Sequence, residues 1–395
     1  MGSNPRVAVV GGSIGGLTAG LLLGDLGCDV HIYERSRSEL DARGAGIAVL
    51  DATIRYFRER TAVDPDTFCS RTGWIRYLWS DGSRRYQAEH HYRFSSWNAI
   101  YRELLRIFDA ERYHLGREMT SFRQLHEGVE ITFADGARDE CDLLVAADGI
   151  NSLTRETLFP SARSRYSGYV AYRGTVPEED LRPETFAELR DAITYQVIRD
   201  SHVLVYPIPG PGGAVQPGER LSNYVWYRNV APGAPFDRLL AGRDGQPRKV
   251  SVPPGMLSDE AIEEFRATAT RELAPPIAEV VNGAREPFVQ AVYDIDVPAM
   301  TAGQVAILGD AAFAVRPHAA AGTAKAAADA WALADALEGA GGDIPAALKT
   351  WEEAQLDLGR RLLERCREIG RRSQVDNSWD PSDPYLIFGL HEPGR

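Results

Sequence analysis

The chain has 395 residues, about 2.6 average domains by length, and is 44% apolar and 25% charged, the balance of a globular protein and not of a fibrous or disordered one. A formal net charge of −12 without any basic stripe argues against a nucleic-acid partner. The cysteines Cys28, Cys69, Cys141 and Cys366 form no CxxC pair and no metal-ligand spacing, so a reduced, cytoplasmic protein without a metal is expected.

Residues 7–24 carry no charge over 18 positions, close to the lower limit for a membrane span. Six of them are glycine and bunch in the middle, which suits a turn and not a spanning helix, so no membrane association is expected. Val7 to Val10 reads as a strand buried on both faces, Leu17 to Leu26 as a helix, and Asp29 to Tyr33 as a second strand ending at Glu34. The turn between strand and helix holds Gly11, Gly12, Gly15 and Gly16, where a diphosphate can meet a helix N-terminus. The spacing is that of GxGxxG, with Ser13 in place of the middle glycine. Glu34 lies 23 residues beyond Gly11, where an acid can accept both hydroxyls of a ribose. This unit predicts dinucleotide binding and leaves FAD and NAD both open.

Further along, Arg43-Gly44-Ala45-Gly46-Ile47 is a glycine-rich loop before a helix over 52–60. Residues 73–86 alternate as a hairpin turning at Asp81-Gly82, and 97–108 have helical spacing. Val129 to Phe133 and Cys141 to Ala146 read as strands flanking the turn Asp135-Gly136. Four strands rich in tyrosine and tryptophan follow (169–175, 194–198, 202–206 and 223–227), then a Pro/Gly-rich surface excursion over 231–254. Helices to about Val281, a strand over 287–293, a short buried strand Val305 to Leu308, and helices over 322–337 and 345–372 complete the chain.

Two of these strands end in acids. Leu143 to Ala147 runs into Asp148-Gly149 in the pattern DGxxSxxR, with Ser152 and Arg155, and Val305 to Leu308 runs into Gly309-Asp310. In open α/β sheets ligands sit at such carboxyl ends. Together, the glycine turn with Glu34, Asp148-Gly149 and Gly309-Asp310 resemble the three fingerprints of the single-component FAD-dependent aromatic hydroxylases, the p-hydroxybenzoate hydroxylase-like group. The stretches GYVAYRGTV, YPIPG, LGDAAFAVRPHAAAG, WEEAQLDLG and FGL are similar to its dihydroxypyridine-hydroxylase subgroup over nearly the whole chain. Two departures stand out. Tyr101 replaces the arginine of an RxxL pattern, and Ala320-Ala321-Gly322 replaces GQG, a change the subgroup shares.

The resemblance implies an α/β fold in which a Rossmann-like FAD domain (1–70, 97–165 and 286–395) is interleaved with a smaller β-sheet substrate domain (71–96 and 166–285). It implies that Gly11, Ser13, Ile14, Gly15, Gly16, Glu34 and Arg35 hold the ADP half of FAD and that Gly46 and Ile47 lie near the flavin half. Asp148 would support the cofactor and a nicotinamide donor, and Gly309, Asp310, Pro317, Ala321 and Gly322 would meet the ribityl–pyrophosphate and flavin. The implied chemistry is reduction by NADH or NADPH, reaction with O₂ to a C4a-hydroperoxide, and hydroxylation of an electron-rich phenol or hydroxypyridine. A dehydrogenase without oxygen insertion, or a flavin-binding protein without turnover, is the alternative. His318 is the candidate base, because the Pro317 loop lies beside the flavin in this group and histidine titrates near neutrality. Arg316 could pair an anionic substrate, and Tyr172, Tyr195, Tyr206 and Trp226 could form pocket walls or donate hydroxyls. His202 is expected to be structural, and the adjacent His90 and His91 point to opposite faces of a strand and make no metal pair. A homodimer is the simplest assembly if the chain is not monomeric.

Overall fold

The computed structural model describes residues 4–40 and 46–395, so Arg43, Gly44 and Ala45 of the glycine-rich loop lie outside the described residues. Residues from both ends and the middle of the chain build a six-stranded sheet in the order Thr301–Ala302, Val305–Ile307, Leu143–Ala146, Arg6–Val10, Asp29–Glu34 and Tyr113–Leu115. All its pairs are parallel except the first, which is antiparallel. Its three middle strands are almost wholly buried, which is why they read as unbroken aliphatic runs. Helices Ile14–Asp25, Trp97–Ile107 and Gly322–Gly339 contribute to the core on one face. A three-stranded antiparallel sheet (Met119–Gln124, Val129–Phe133 and Arg138–Cys141) covers the other through Val129, Ile131 and Phe133.

That small sheet corrects the expected strand over 141–146. The Asp135-Gly136 turn joins Val129–Phe133 to Arg138–Cys141, with Val129 opposite Cys141, whereas Leu143–Ala146 belongs to the parallel sheet. The break falls at Asp142, whose carboxylate accepts the backbone N–H of Arg6 at 2.7 Å. The charged Arg138-Asp139-Glu140 run suits a solvent-facing edge strand and hid it from a search for apolar runs.

A nine-stranded sheet forms the second body, in the order Ser251–Val252, Phe288–Asp294, Arg165–Pro177, Leu221–Asn229, Ser201–Ile208, Ala192–Ile198, Ser70–Leu78, Arg84–Ser96 and Gly46–Ala48. Only the pair Ala192–Ile198 with Ser70–Leu78 is parallel. Two of its strands, Gly46–Ala48 and Phe288–Asp294, fall in ranges that the sequence division gives to the FAD part. One face packs on helices Asp259–Glu272 and Pro275–Gly283 through Tyr172, Trp226 and Phe265. The other carries Tyr169, Tyr206, Val225 and Tyr227 toward Ile369 of the 31-residue helix Ile344–Gln374 and toward the parallel sheet. Among the described residues no helix is long and apolar enough to cross a membrane.

Candidate active site

The nucleotide end of the site is shaped by close backbone approach. Gly11 leaves the first strand at φ +104°, a Cβ on it would lie 2.2 Å from the Ala147 carbonyl oxygen, and a Cβ on Gly16 would lie 1.9 Å from the carbonyl oxygen of Gly11. No side chain larger than hydrogen fits there. Ser13 starts the helix without a capping bond from its side chain, so its hydroxyl and the helix's first N–H groups remain available to an anion. The Glu34 carboxylate is buried at the end of the next strand, where it accepts the N–H of Gly12 and the N–H of Ser36, both at 2.9 Å. A carboxylate offers about four lone-pair sites, which leaves capacity for a diol. Arg35 is exposed immediately beyond.

The second and third motifs are tied to each other by one buried guanidinium. Arg155 donates to the carbonyls of Ile150, Ala162 and Ala311 at 2.9–3.1 Å, linking the DGxxSxxR turn to the segment after Gly309-Asp310. Asp148 accepts the N–H of Thr154 at 3.2 Å through one oxygen, while its other oxygen, Oδ1, is buried without a partner. Burial raises its carboxyl above the usual range. Gly309, at φ +60°, donates its N–H to Asp329 at 2.8 Å. Asp310 opens onto the cleft, yet its position deep between the two bodies raises its carboxyl too.

Between the carboxyl ends of the parallel strands and the large sheet lies a cleft of about 310 Å³. Ser13, Ile14, Gly15, Gly309, Asp310, Pro317, Ala321 and Gly322 line it on the side of the parallel sheet, and Gly46 and Ile47 line it from the edge strand of the large sheet. The opposite wall is made by Arg173, Leu204, Tyr206, Val225 and Tyr227, with Phe94 and Phe388 beside them. Gly46 is tied back to inner strands of its own large sheet: its N–H donates to Asn223 Oδ1 at 3.0 Å and its carbonyl accepts the Tyr206 hydroxyl at 2.8 Å. The arrangement suits FAD. The glycine turn leaves backbone exposed where a pyrophosphate would sit, Glu34 has spare acceptor capacity, and Asp148 carries an orphaned buried oxygen.

The aromatic wall differs from the expected one. Tyr206 lines the cleft as expected, and burial pushes its phenol up to about 12, so it is a donor and not a base. Tyr172 and Trp226 lie on the far face of the sheet, where Tyr172 stacks on Phe265 at 4.4 Å and Trp226 donates to Ser201 Oγ at 2.9 Å. Successive strand residues alternate faces, so Arg173, Val225 and Tyr227, one position along, face the cleft instead. Tyr195 shares the cleft-side face but sits farther along the sheet, stacked on Tyr77 at 4.9 Å. Composition alone missed Arg173, Tyr227, Phe94 and Phe388.

His318 and Arg316 also change place. Arg316 makes a two-pronged ion pair with Asp294, 2.9 Å for each bond, and does not line the cleft. His318 turns away from Pro317 into the protein, where Nε2 meets the Tyr169 hydroxyl at 2.6 Å and the ring lies 5.3 Å from that of His202. Burial holds His318 well below its usual range and His202 down to about 3, so both are neutral near pH 7. His318 is therefore not positioned as the base.

A stability effect follows from this pair. Both folded-state values are depressed, so neither histidine penalises folding above the unfolded value of about 6.5. Below it the unfolded chain binds the extra protons, and stability falls as pH drops toward 3, the folded value of His202. From pH 6.5 to 5 the loss is about 2 kcal/mol per histidine. Urea denaturation at pH 7 and pH 5 measures it, and His202→Phe should recover close to half of the acid loss attributed to the pair. An unchanged pH slope in that variant would show that His202 is protonated as easily in the fold as outside it.

Comparison with known proteins places this geometry. A family model described as FAD binding domain-like matches residues 166–294. The 2,6-dihydroxypyridine 3-monooxygenase of Paenarthrobacter nicotinovorans is 36% identical over 386 residues, covering 98% of this chain and 96% of that one. The chain belongs to the FAD-dependent aromatic hydroxylases. The solved structure of 2,6-dihydroxypyridine-3-hydroxylase from Arthrobacter nicotinovorans superposes on this hydroxylase with a TM-score of 0.93 at 34% identity, covering 100% of this chain and 99% of that one. A 6-hydroxynicotinate 3-monooxygenase of Bordetella bronchiseptica is 25% identical over 98% of this chain and 96% of its own. This hydroxylase is therefore an FAD-dependent monooxygenase of aromatic substrates.

Proposed function

We propose that this hydroxylase acts on a hydroxylated N-heteroaromatic ring of the dihydroxypyridine type, with NADH or NADPH as electron donor. The single observation that carries the substrate class is the 36% identity to a 2,6-dihydroxypyridine 3-monooxygenase along nearly the whole chain. The aromatic lining of the cleft, with Phe94, Tyr206, Tyr227 and Phe388, supports it. Bound FAD supplies the activation of O₂ once the nicotinamide has reduced it. Ser13 and the helix start after it would hold the pyrophosphate, Glu34 the ribose diol, and Asp148 and Asp310 the remaining polar edges of the cofactor.

Among the side chains lining the cleft, Tyr206 stays protonated, and burial raises the Asp310 carboxyl above its usual range. The enzyme selects a ring that has already ionised, and the aromatic walls keep water from the reacting carbon. Purified protein should contain FAD and should oxidise NADH or NADPH faster in the presence of 2,6-dihydroxypyridine. One ¹⁸O atom from ¹⁸O₂ should appear in the product. Oxidation that no hydroxypyridine stimulates, or product without label, would remove this reading.

A further inference from the structure

The large sheet presents one charge to the cleft in a row that is otherwise apolar or aromatic. Across the strands, Phe288 pairs with Arg173, Arg173 with Val225, Val225 with Leu204, and Leu204 with Tyr195. None of these neighbours offers a carboxylate. Arg220 is paired with Glu178, Arg316 with Asp294, and Arg155 donates to three carbonyls, while Arg266 and Arg365, which also bury an unpartnered Nε, do not line the cleft. Arg173, by contrast, has no ion pair among the described residues. It makes a long hydrogen bond from Nη1 to the Gly46 carbonyl at 3.4 Å and lies beside the Tyr227 phenol, and its Nε is buried without a partner. A half-buried guanidinium with an empty donor is unfavourable unless an acceptor arrives. The cleft that it lines is where such an acceptor would enter.

We propose that Arg173 is the specificity-determining residue that binds the ionised oxygen of the substrate ring together with the adjacent ring nitrogen. This assignment rests on the substrate class proposed above and deepens it. A hydroxypyridine ionised next to its ring nitrogen presents two neighbouring acceptors, O⁻ and N, that resemble the two oxygens of a carboxylate. Guanidinium is a planar fork of donors that matches such a pair, whereas an ammonium group or a neutral amide does not. A phenolate has only the oxygen. Arg173 thus favours the heteroaromatic anion over both its neutral form and its carbocyclic analogue. It also supplies a positive charge that holds the ring ionised. The Tyr227 phenol, on the same wall, feels this charge, which offsets part of the upward push from burial.

The test compares two ligands that differ at one ring atom, 2,6-dihydroxypyridine and resorcinol, titrated anaerobically into the FAD-loaded enzyme and followed by perturbation of the flavin spectrum. Wild-type enzyme should bind the pyridine more tightly, with affinity rising as pH passes upward through the ligand's own pKa. Arg173→Lys should weaken the pyridine at least tenfold and resorcinol by less than about threefold. Arg173→Gln should lose about a hundredfold on the pyridine and flatten the pH dependence. Added guanidinium ion should restore part of the binding to Arg173→Gln. FAD content and the ligand-free flavin spectrum should match wild type in both variants, which also reports that they fold. Equal losses for the two ligands, or unchanged ligand affinity with a shifted ligand-free spectrum, would overturn the assignment and point Arg173 at the flavin. Failure of wild-type enzyme to bind any hydroxypyridine would overturn the substrate class itself, and this assignment with it.

Discussion

Replacing Lys325 by methionine is expected to destabilise the protein by about 3–5 kcal/mol and to weaken FAD binding. Lys325 and Asp329 sit one turn apart on the helix Gly322–Gly339, with side chains 1% and 0% exposed, and the ammonium lies 2.9 and 2.7 Å from the two carboxylate oxygens. Burial pushes the Asp329 carboxyl up while Lys325 pulls it down. With the ammonium gone, the carboxylate is left uncompensated in the interior and takes up a proton. The same carboxylate accepts the Gly309 N–H and so fixes the turn that presents Asp310 to the cleft. The two effects separate in a double variant. Lys325→Met with Asp329→Leu removes both charges and should regain part of the stability in urea denaturation. It should not regain FAD affinity, because the Gly309 N–H has lost its acceptor. Full recovery of both would mean that the pair only fills space.

Gly16→Ala is the second change with a large expected effect. Its methyl group would stand 1.9 Å from the Gly11 carbonyl oxygen, a backbone atom that cannot swing aside, so the helix must move off the strand or the glycine turn must open. Either movement dismantles the bed for the pyrophosphate. The purified variant should be colourless, without the flavin absorbance near 450 nm. Gly24→Ala, near the end of the same helix with no atom within 4 Å of the new methyl, is the control. It should retain FAD and gain up to about 1 kcal/mol, since alanine stiffens the unfolded chain and favours helix. Loss of FAD from both variants would mean that the helix, and not the close contact at Gly16, is the sensitive element.

The first βαβ unit was legible in the sequence because the glycines of its turn answer a local demand: Gly11, Gly12 and Gly16 stand where another atom leaves no space. The strand-end acids Asp148 and Asp310 were legible for a related reason, since an aliphatic run that stops at an acid marks the carboxyl edge of a buried strand. The substrate wall was not. Tyr172 and Tyr206 look equivalent as aromatic residues in adjacent β segments, but which face of a strand looks into the cleft depends on which face the helices Asp259–Glu272 and Pro275–Gly283 cover. That pairing is set some ninety residues away from Tyr172. His318 was misplaced for a smaller reason. A single 3-10 turn, Pro317–Ala319, is enough to leave Pro317 in the cleft and rotate the next ring behind it. Arg173 was passed over because an arginine inside an aromatic strand carries no sign of whether an acid faces it.

The order of strands in the parallel sheet also sets a timetable for the chain as it is made. Arg6–Val10 pairs with Leu143–Ala146, but the outer edge of the latter waits for Val305–Ile307. The 161 residues between Leu143 and Val305 take roughly 8–32 s to synthesise at about 5–20 residues per second. During that interval an apolar strand edge is open on the emerging protein while the large sheet is being added. Bare edges of this kind recruit other strands. Yield in a heterologous host should therefore respond more to chaperone supply and growth temperature than to changes on the finished surface.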